Sequence, residues 1–413
     1  MGYCSLIVNL YKCLLHFNFM IVGIETTAHT FGVGVVSNGK IFANVKDMYK
    51  PSEGGIIPNK SAEHHKLVAD AVWNEALSKS GFCDKDITAI AVSNAPGLAP
   101  CLYAGLNFAK LKAKLLGVPL VPVNHCIAHL EIGQSVGAID PVLLYASGAN
   151  TQVIAYTAAS KSHRMPSSLK NREKLAGASG KYRVFGETLD LGIGNFIDTF
   201  GRYVGIPFPA GPVLEGKAKN DKYIELPYSI KGMDVSFSGM QTKMKQLYDR
   251  GVSVEDLAFS MQETAFAMLV EASERALAHT GKTELVLGGG VACNSRLQEM
   301  CRLMCEARNV KMFCPAREFL TDNGAMIAYT GEIIWNSVNK KLLIDKSVSK
   351  KESKKSLIRY CLGKNMNESN EKIEYDGDNV KSKHVIFMPE DFNLLDINAR
   401  ERTDMVNVSW KKP

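Results

Sequence analysis

From Met20 onward, short β-rich apolar runs alternate with longer stretches of helical periodicity. The segment IVGIETTAHTFGVGVVSNGKIFANV reads as two β-rich runs divided at Asn38-Gly39, a pair that favours a tight hairpin. Ser61 to Lys79 repeats with helical spacing, and ITAIAVS (Ile87 to Ser93) is a short apolar strand. A Gly/Pro loop, Asn94 to Pro100, precedes a helix over Tyr103 to Leu116. Leu120 to Val123 forms another strand, and the next helix carries His125 and His129.

The plan then repeats. Val142 to Ala146 and Gln152 to Tyr156 read as strands around the turn Ser147-Gly148-Ala149-Asn150, with a third strand near Lys181 to Phe185. Helices follow over Leu191 to Val204 and Val254 to Thr280, then a strand over Glu284 to Leu287 and the turn Gly288-Gly289-Gly290. Two meander-then-helix units in tandem predict an α/β protein of two ribonuclease-H-like lobes, residues 20–141 and 142–335, facing across a nucleotide cleft.

At 413 residues the chain exceeds what one hydrophobic core usually organises, in keeping with two lobes. Ten cysteines without a Cys-x-x-Cys pair point to neither a zinc ribbon nor a disulfide framework. The net charge of +7 would invite a nucleic-acid reading, but its location argues otherwise. Lys340 to Lys364 carries nine Lys/Arg against two acids, and Ala158 to Lys181 six against one, which leaves −5 on the rest. The core is slightly acidic, and the basic runs fit solvated segments better than a dedicated patch. Residues 158–181 are expected to form a surface loop, and 336–413 a largely disordered basic tail.

No stretch is apolar and long enough to span a membrane. Residues 1–19 place Lys12 inside an apolar run and lack small cleavage-site residues, against a secretory signal. Leu6 breaks the myristoylation pattern. The segment reads as an extension ahead of a start at Met20, with a poor organelle presequence as the alternative.

Several short motifs carry possible chemistry. In HCIAH the imidazoles of His125 and His129 stand one helical turn apart on one face, able to share a metal or to be two hydrogen-bonded histidines. Cys126 occupies the position where a zinc protease needs its glutamate base, so that reading fails. Asp322, in TDNGAMIA, offers either an oxygen ligand or a helix N-cap. The turn SGAN and the run GGGVACN could present backbone N–H groups to an anion, or be ordinary tight turns.

In this order the motifs resemble those of the universal tRNA threonylcarbamoyl transferases, formerly labelled O-sialoglycoprotein endopeptidases. The matching stretches are GIETTAHTFGVGVV, IIPNKSAEHH, APGLAPCLYAG, PVNHCIAHLEIG, PVLLYASGANTQVIAY, YRVFGETLDLGIGNFIDTFGR, KGMDVSFSG, QETAFAMLVEASERALAHTGK, LVLGGGVACNSRL and LTDNGAMIAYTG, spanning Met20 to about Trp335. YRVFGETLD, SFSG and the closing RTDMVNVSWKKP are similar to the archaeal and eukaryotic branch, whose members are catalytic subunits of the KEOPS complex.

The resemblance implies the fold shared by actin, hexokinase and the heat-shock chaperone ATPase. It implies one divalent metal, iron or zinc, on His125, His129, Tyr145 and Asp322. It also implies substrate contacts from Tyr145, Ala146, Ser147, Gly148, Ala149, Asp198, Gly211, Glu215 and Asn294. The implied reaction moves threonylcarbamoyl from threonylcarbamoyl-AMP to N6 of adenosine 37 in tRNAs that read codons beginning with adenine. Implied partners are tRNA, a small atypical protein kinase, a small dimerising subunit and other KEOPS members, in cytoplasm and nucleus. Ala95, Ala99 and Ala149 depart from the pattern, standing where the family usually has glycine. Two rival readings are a catalytically weak scaffold subunit and an ATPase or kinase of the same fold. No residue stands out as a general base.

Overall fold

A computed structural model describes residues 19–51, 55–157, 180–218, 222–344, 386–406, 408 and 410–411. The first lobe is built on β1 (Met20–Glu25), β2 (Thr30–Ser37), β3 (Lys40–Met48), α1 (Pro58–Ser80), β4 (Ile87–Ala95), α2 (Ala99–Leu116), β5 (Leu120–Asn124) and α3 (His125–Glu131). The second begins with β6 (Val142–Ala146), β7 (Thr151–Thr157), β8 (Lys181–Glu187), α4 (Ile193–Tyr203) and α5 (Gly211–Lys217). It continues through a small hairpin, β9 (Ile230–Lys231) and β10 (Asp234–Val235), to α6 (Ser238–Asp249), α7 (Val254–Thr280), β11 (Glu284–Gly288), α8 (Ser295–Ala307) and β12 (Lys311–Phe313). A single turn, α9 (Arg317–Leu320), leads to α10 (Gly324–Ile344).

The two large sheets share one topology. Their strand orders are β3-β2-β1-β4-β5 and β8-β7-β6-β11-β12. In each, an antiparallel three-strand meander is extended by two parallel strands. Two ribonuclease-H-like sheets thus stand in tandem, as the repeated sequence plan predicts. Parallel pairing explains why β4, β5, β6 and β11 are almost wholly apolar, since helices cover both faces.

The first β-rich run is two strands, broken at Thr26 to His29, so the lobe opens with three strands rather than a pair. Asn38 and Gly39 take φ of 52° and 73° in the turn between β2 and β3, as an Asn-Gly hairpin requires. The Glu332 carboxylate of α10 accepts hydrogen bonds from the Asn38 and Gly39 backbone N–H groups.

Although sequence order groups it with the second lobe, α10 packs on the first sheet, against β1 and β2. Glycines make this close approach possible. A Cβ on Gly23 would lie 2.1 Å from Ala328 N, and one on Gly34 2.2 Å from Ala325 N. Helix backbone therefore rests directly on sheet backbone, which carries the preceding residue pair, Asp322-Asn323, to the junction of the lobes.

The charged segment expected to be tail also contains ordered chain. From Ile386 it lies along the first lobe, with Phe387 bridged antiparallel to Leu120 at the edge of the sheet. Phe387, Phe392 and Leu395 join the core formed by α1, α2 and the β1–β4 strands. Residues 1–18, 158–179 and 345–385 lie outside the described residues, and with them most of the extension, loop and tail expectations. Among the described residues no helix is long and apolar enough to cross a membrane.

Candidate active site

Helix α3 starts where β5 ends, and Asn124 makes the junction. Its Oδ1 accepts from the N–H groups of Cys126 (3.1 Å) and Ile127 (3.3 Å), an N-cap that fixes the first turn. His125 and His129 consequently project from one helix face, with ring centroids 4.8 Å apart. Tyr145 reaches them from β6 across the lobe boundary, its hydroxyl 3.0 Å from His125 Nε2. Asp322 arrives from the approach to α10, with Oδ1 3.4 Å from Nε2 of both histidines. The helix cap there is Asn323, whose Oδ1 accepts from Met326 N at 2.9 Å, and this leaves the Asp322 carboxylate for the site.

The donor set fits a divalent cation. Donor atoms of His125, His129 and Asp322 lie within 4.8 Å of one another, all in a buried or half-buried setting. Ligand atoms about 3.4 Å apart are what a tetrahedral site with bonds of about 2.1 Å produces. Among the described residues neither ring nitrogen of the buried His129 has a hydrogen-bond partner, although Nε2 lies 3.4 Å from Asp322 Oδ1. Buried polar atoms are seldom left so, and a cation would satisfy Nε2.

Glu25, absent from the sequence-derived site, completes the arrangement. It is fully buried at the end of β1 and stands 2.9 Å from His125 Nδ1. Its other oxygen accepts from Thr27 N (2.7 Å) and Thr27 Oγ1 (2.5 Å). A carboxylate on the far nitrogen of a ligating histidine fixes the tautomer and leaves Nε2 for metal. The available signal was an acid closing the otherwise apolar run MIVGIE.

The local electrostatics agree. Burial opposes charge on His125, but Glu25, Tyr145 and Asp322 outweigh it and hold the imidazole well above its ordinary pKa. Burial alone would raise Asp322, yet His125 and His129 draw it well below the usual carboxylate range. Burial lowers His129 and raises Tyr145. A proton held among these donors is one that a cation would displace. Lys46 adds a positive group at the rim, donating from Nζ to the Asp322 carbonyl at 3.2 Å and to Thr321 Oγ1.

Backbone hydrogen bonds hold the turn after Tyr145. Ser147 O accepts from Gly194 N at 3.0 Å, and Gly148 O from Asn195 N at 2.9 Å. A Cβ on Gly192 would come within 2.3 Å of Gly148 O, and one on Gly289 within 2.3 Å of Ala146 O. Two glycine loops thus clasp the turn and leave Gly148 and Ala149 exposed.

The remaining predicted residues lie on the second lobe, and several are already engaged. Asp198 on α4 accepts from Ala210 N at 2.8 Å, and burial raises its pKa against that bond, Arg202 and His29. Gly211 begins α5, and Glu215 on the same helix accepts from Ser295 N (2.8 Å) and Ser295 Oγ (2.7 Å). Asn294 caps α8, accepting from Arg296 N (2.9 Å), while its amide donates to Gln262 Oε1 at 2.6 Å. His29 of the first lobe, which the sequence reading passed over, feels both Asp322 and Asp198, with burial lowering its pKa against them.

A family model described as tRNA N6-adenosine threonylcarbamoyltransferase matches residues 39–172 and 168–329. The chain belongs to this family. The Thermococcus kodakarensis protein named tRNA N6-adenosine threonylcarbamoyltransferase is 51% identical over 312 residues, 75% of this chain and 90% of its own length. The Thermofilum pendens protein of the same name is 47% identical over 320 residues, 76% of this chain and 89% of that one. A Methanosarcina barkeri protein, named probable bifunctional tRNA threonylcarbamoyladenosine biosynthesis protein, is 47% identical over 337 residues, 80% of this chain. There the matched region spans 58% of the relative's length.

Ala95, Ala99 and Ala149 stand where the resemblance expects glycine. None has a positive φ, and Ala149 is exposed. The backbone therefore makes no demand that alanine fails to meet. Ala149→Gly should lower stability by a few tenths to about 1 kcal/mol, through a looser unfolded chain, with adenylate affinity unchanged. Tighter binding of threonylcarbamoyl-AMP by the glycine variant would contradict this.

Proposed function

We propose that this chain transfers the threonylcarbamoyl group of threonylcarbamoyl-AMP to N6 of adenosine 37 in tRNAs reading codons that begin with adenine. In this reading it is the catalytic subunit of KEOPS, working with a small atypical kinase, a small dimerising subunit and other members in cytoplasm and nucleus. Support comes from the family and from one observation: His125, His129, Tyr145 and Asp322 converge next to the turn that exposes Gly148 and Ala149.

His125, His129, Tyr145 and Asp322 would hold one divalent ion, iron or zinc, since imidazole, phenolate and carboxylate donors suit both. When bound, that ion supplies Lewis acidity towards the carbamoyl oxygen. Glu25 keeps His125 oriented through Nδ1. Exposed backbone at Gly148 and Ala149 offers a surface for the adenylate, and Asp198, Gly211, Glu215 and Asn294 would take polar groups of its nucleotide end. The N6 amine attacks the carbamoyl carbon, a C–N bond forms, the amine gives up one proton to solvent, and the carbamoyl–phosphate C–O bond breaks with its electron pair leaving on AMP. An exocyclic amine is a weak nucleophile, so holding it in line contributes much of the rate.

The test is transfer of labelled threonylcarbamoyl from threonylcarbamoyl-AMP to tRNA by the purified complex, beside an ATP-hydrolysis control. Labelled tRNA without matching ATP turnover is expected. ATP hydrolysis without transfer would favour an ATPase, and neither activity would favour a scaffold.

A further inference from the structure

The described end of the chain crosses both lobes beside the donor cluster. It leaves the first lobe through Asn398 N to Asn94 O (2.9 Å) and Gly97 N to Ala399 O (3.2 Å). It reaches the second lobe at Arg402, 3.6 Å from Glu187 on β8, and at Thr403, whose hydroxyl donates to Gln152 Oε1 at 3.4 Å. Between these anchors Glu401 Oε2 accepts from the Asn124 side-chain amide at 2.9 Å.

The partners chosen by this strap are the immediate neighbours of the donors. Asn124 precedes His125 and caps its helix, so its amide must face Glu401 while its oxygen faces the helix N–H groups. Gln152 is the cross-strand partner of Tyr145. Val408 packs with Tyr145 and with Cys126, Ile127 and Leu130 on the back of α3. One segment thus touches the supports of donors from both lobes.

We infer that Glu401 is a positioning residue for the metal-binding histidines, orienting the Asn124 cap and so the first turn of α3, as part of a strap that keeps the two lobes' donors in register. The inference rests on the metal reading of His125, His129, Tyr145 and Asp322. Side chains that orient a ligand typically change metal affinity by 10- to 100-fold, and one acting through a cap belongs at the lower end.

The experiment is Zn2+ titration of the metal-stripped full chain, with melting temperature recorded in parallel. Glu401→Ala should bind Zn2+ about 10-fold more weakly. Glu401→Gln, which keeps the acceptor oxygen, should bind like wild type. Asn124→Asp keeps the cap but sets two carboxylates against each other, and should weaken binding at least as much as Glu401→Ala. Combining Asn124→Asp with Glu401→Gln exchanges donor and acceptor and should restore most of the affinity.

Unchanged Zn2+ affinity in Glu401→Ala, even with a lower melting temperature, would reduce the strap to a structural tie and overturn the inference. So would failure of the exchanged pair to recover, and that pair remains decisive should Glu401→Ala not fold. Absence of stoichiometric Zn2+ in wild type instead sinks the metal reading itself, and the positioning role with it.

Discussion

The double variant His125→Ala, His129→Ala should lose its bound divalent cation and threonylcarbamoyl transfer together while remaining folded. Both rings are buried, so truncation removes packing as well as ligands, at a cost of order 2–5 kcal/mol per large-to-small change. With His125 go its contacts to Glu25 Oε2 at 2.9 Å and to the Tyr145 hydroxyl at 3.0 Å. Among the described residues His129 has no hydrogen-bond partner on either nitrogen, and Glu25 keeps its two bonds from Thr27 when His125 is gone. Two of the four proposed ligands disappear, so metal affinity should fall by more than about 100-fold, beyond what an orienting residue alone contributes. Metal analysis of the anaerobically purified variant, with circular dichroism to verify folding, reads this directly. Stoichiometric metal persisting in the variant would remove the site from the argument.

The second large effect is expected at Gly34. Its added Cβ would sit 2.2 Å from Ala325 N and 2.3 Å from Ala325 Cα, backbone atoms with no rotamer by which to yield. Gly34→Ala must push α10 off the sheet. Overpacking of this kind costs about 1–3 kcal/mol and occasionally more, and rigid backbone contact places it at the upper end. Because Asp322 lies two residues ahead of α10, the same displacement should weaken metal binding. Gly239→Ala is the control. It lies within α6 with nothing among the described residues inside 4 Å of its added Cβ, and should be neutral or stabilising by up to about 1 kcal/mol. Equal melting temperatures for the two variants would show that α10 does not depend on bare backbone contact.

What the sequence determined by itself was local and repeated. The Asn38-Gly39 hairpin, the apolar strands, the α1 and α7 helices and the i, i+4 spacing of His125 and His129 follow from periodicity and turn chemistry, which neighbouring residues set. Their recurrence in two halves made the two-lobe plan legible. Tertiary structure alone decided which distant residues meet. Nothing in MIVGIE says that Glu25 will face an imidazole 100 positions away, and the adjoining acid and amide at Asp322-Asn323 do not reveal which one caps the helix. Sequence order grouped α10 with the second lobe, whereas Gly23 and Gly34 give it a flat seat on the first. The last segment looked like a continuation of a basic run, because composition averages over a window. Phe387, Phe392, Leu395 and Val408 are too sparse to shift that average, yet each finds an apolar surface made by other parts of the chain. Burial depends on a partner surface, and a one-dimensional pattern does not contain it.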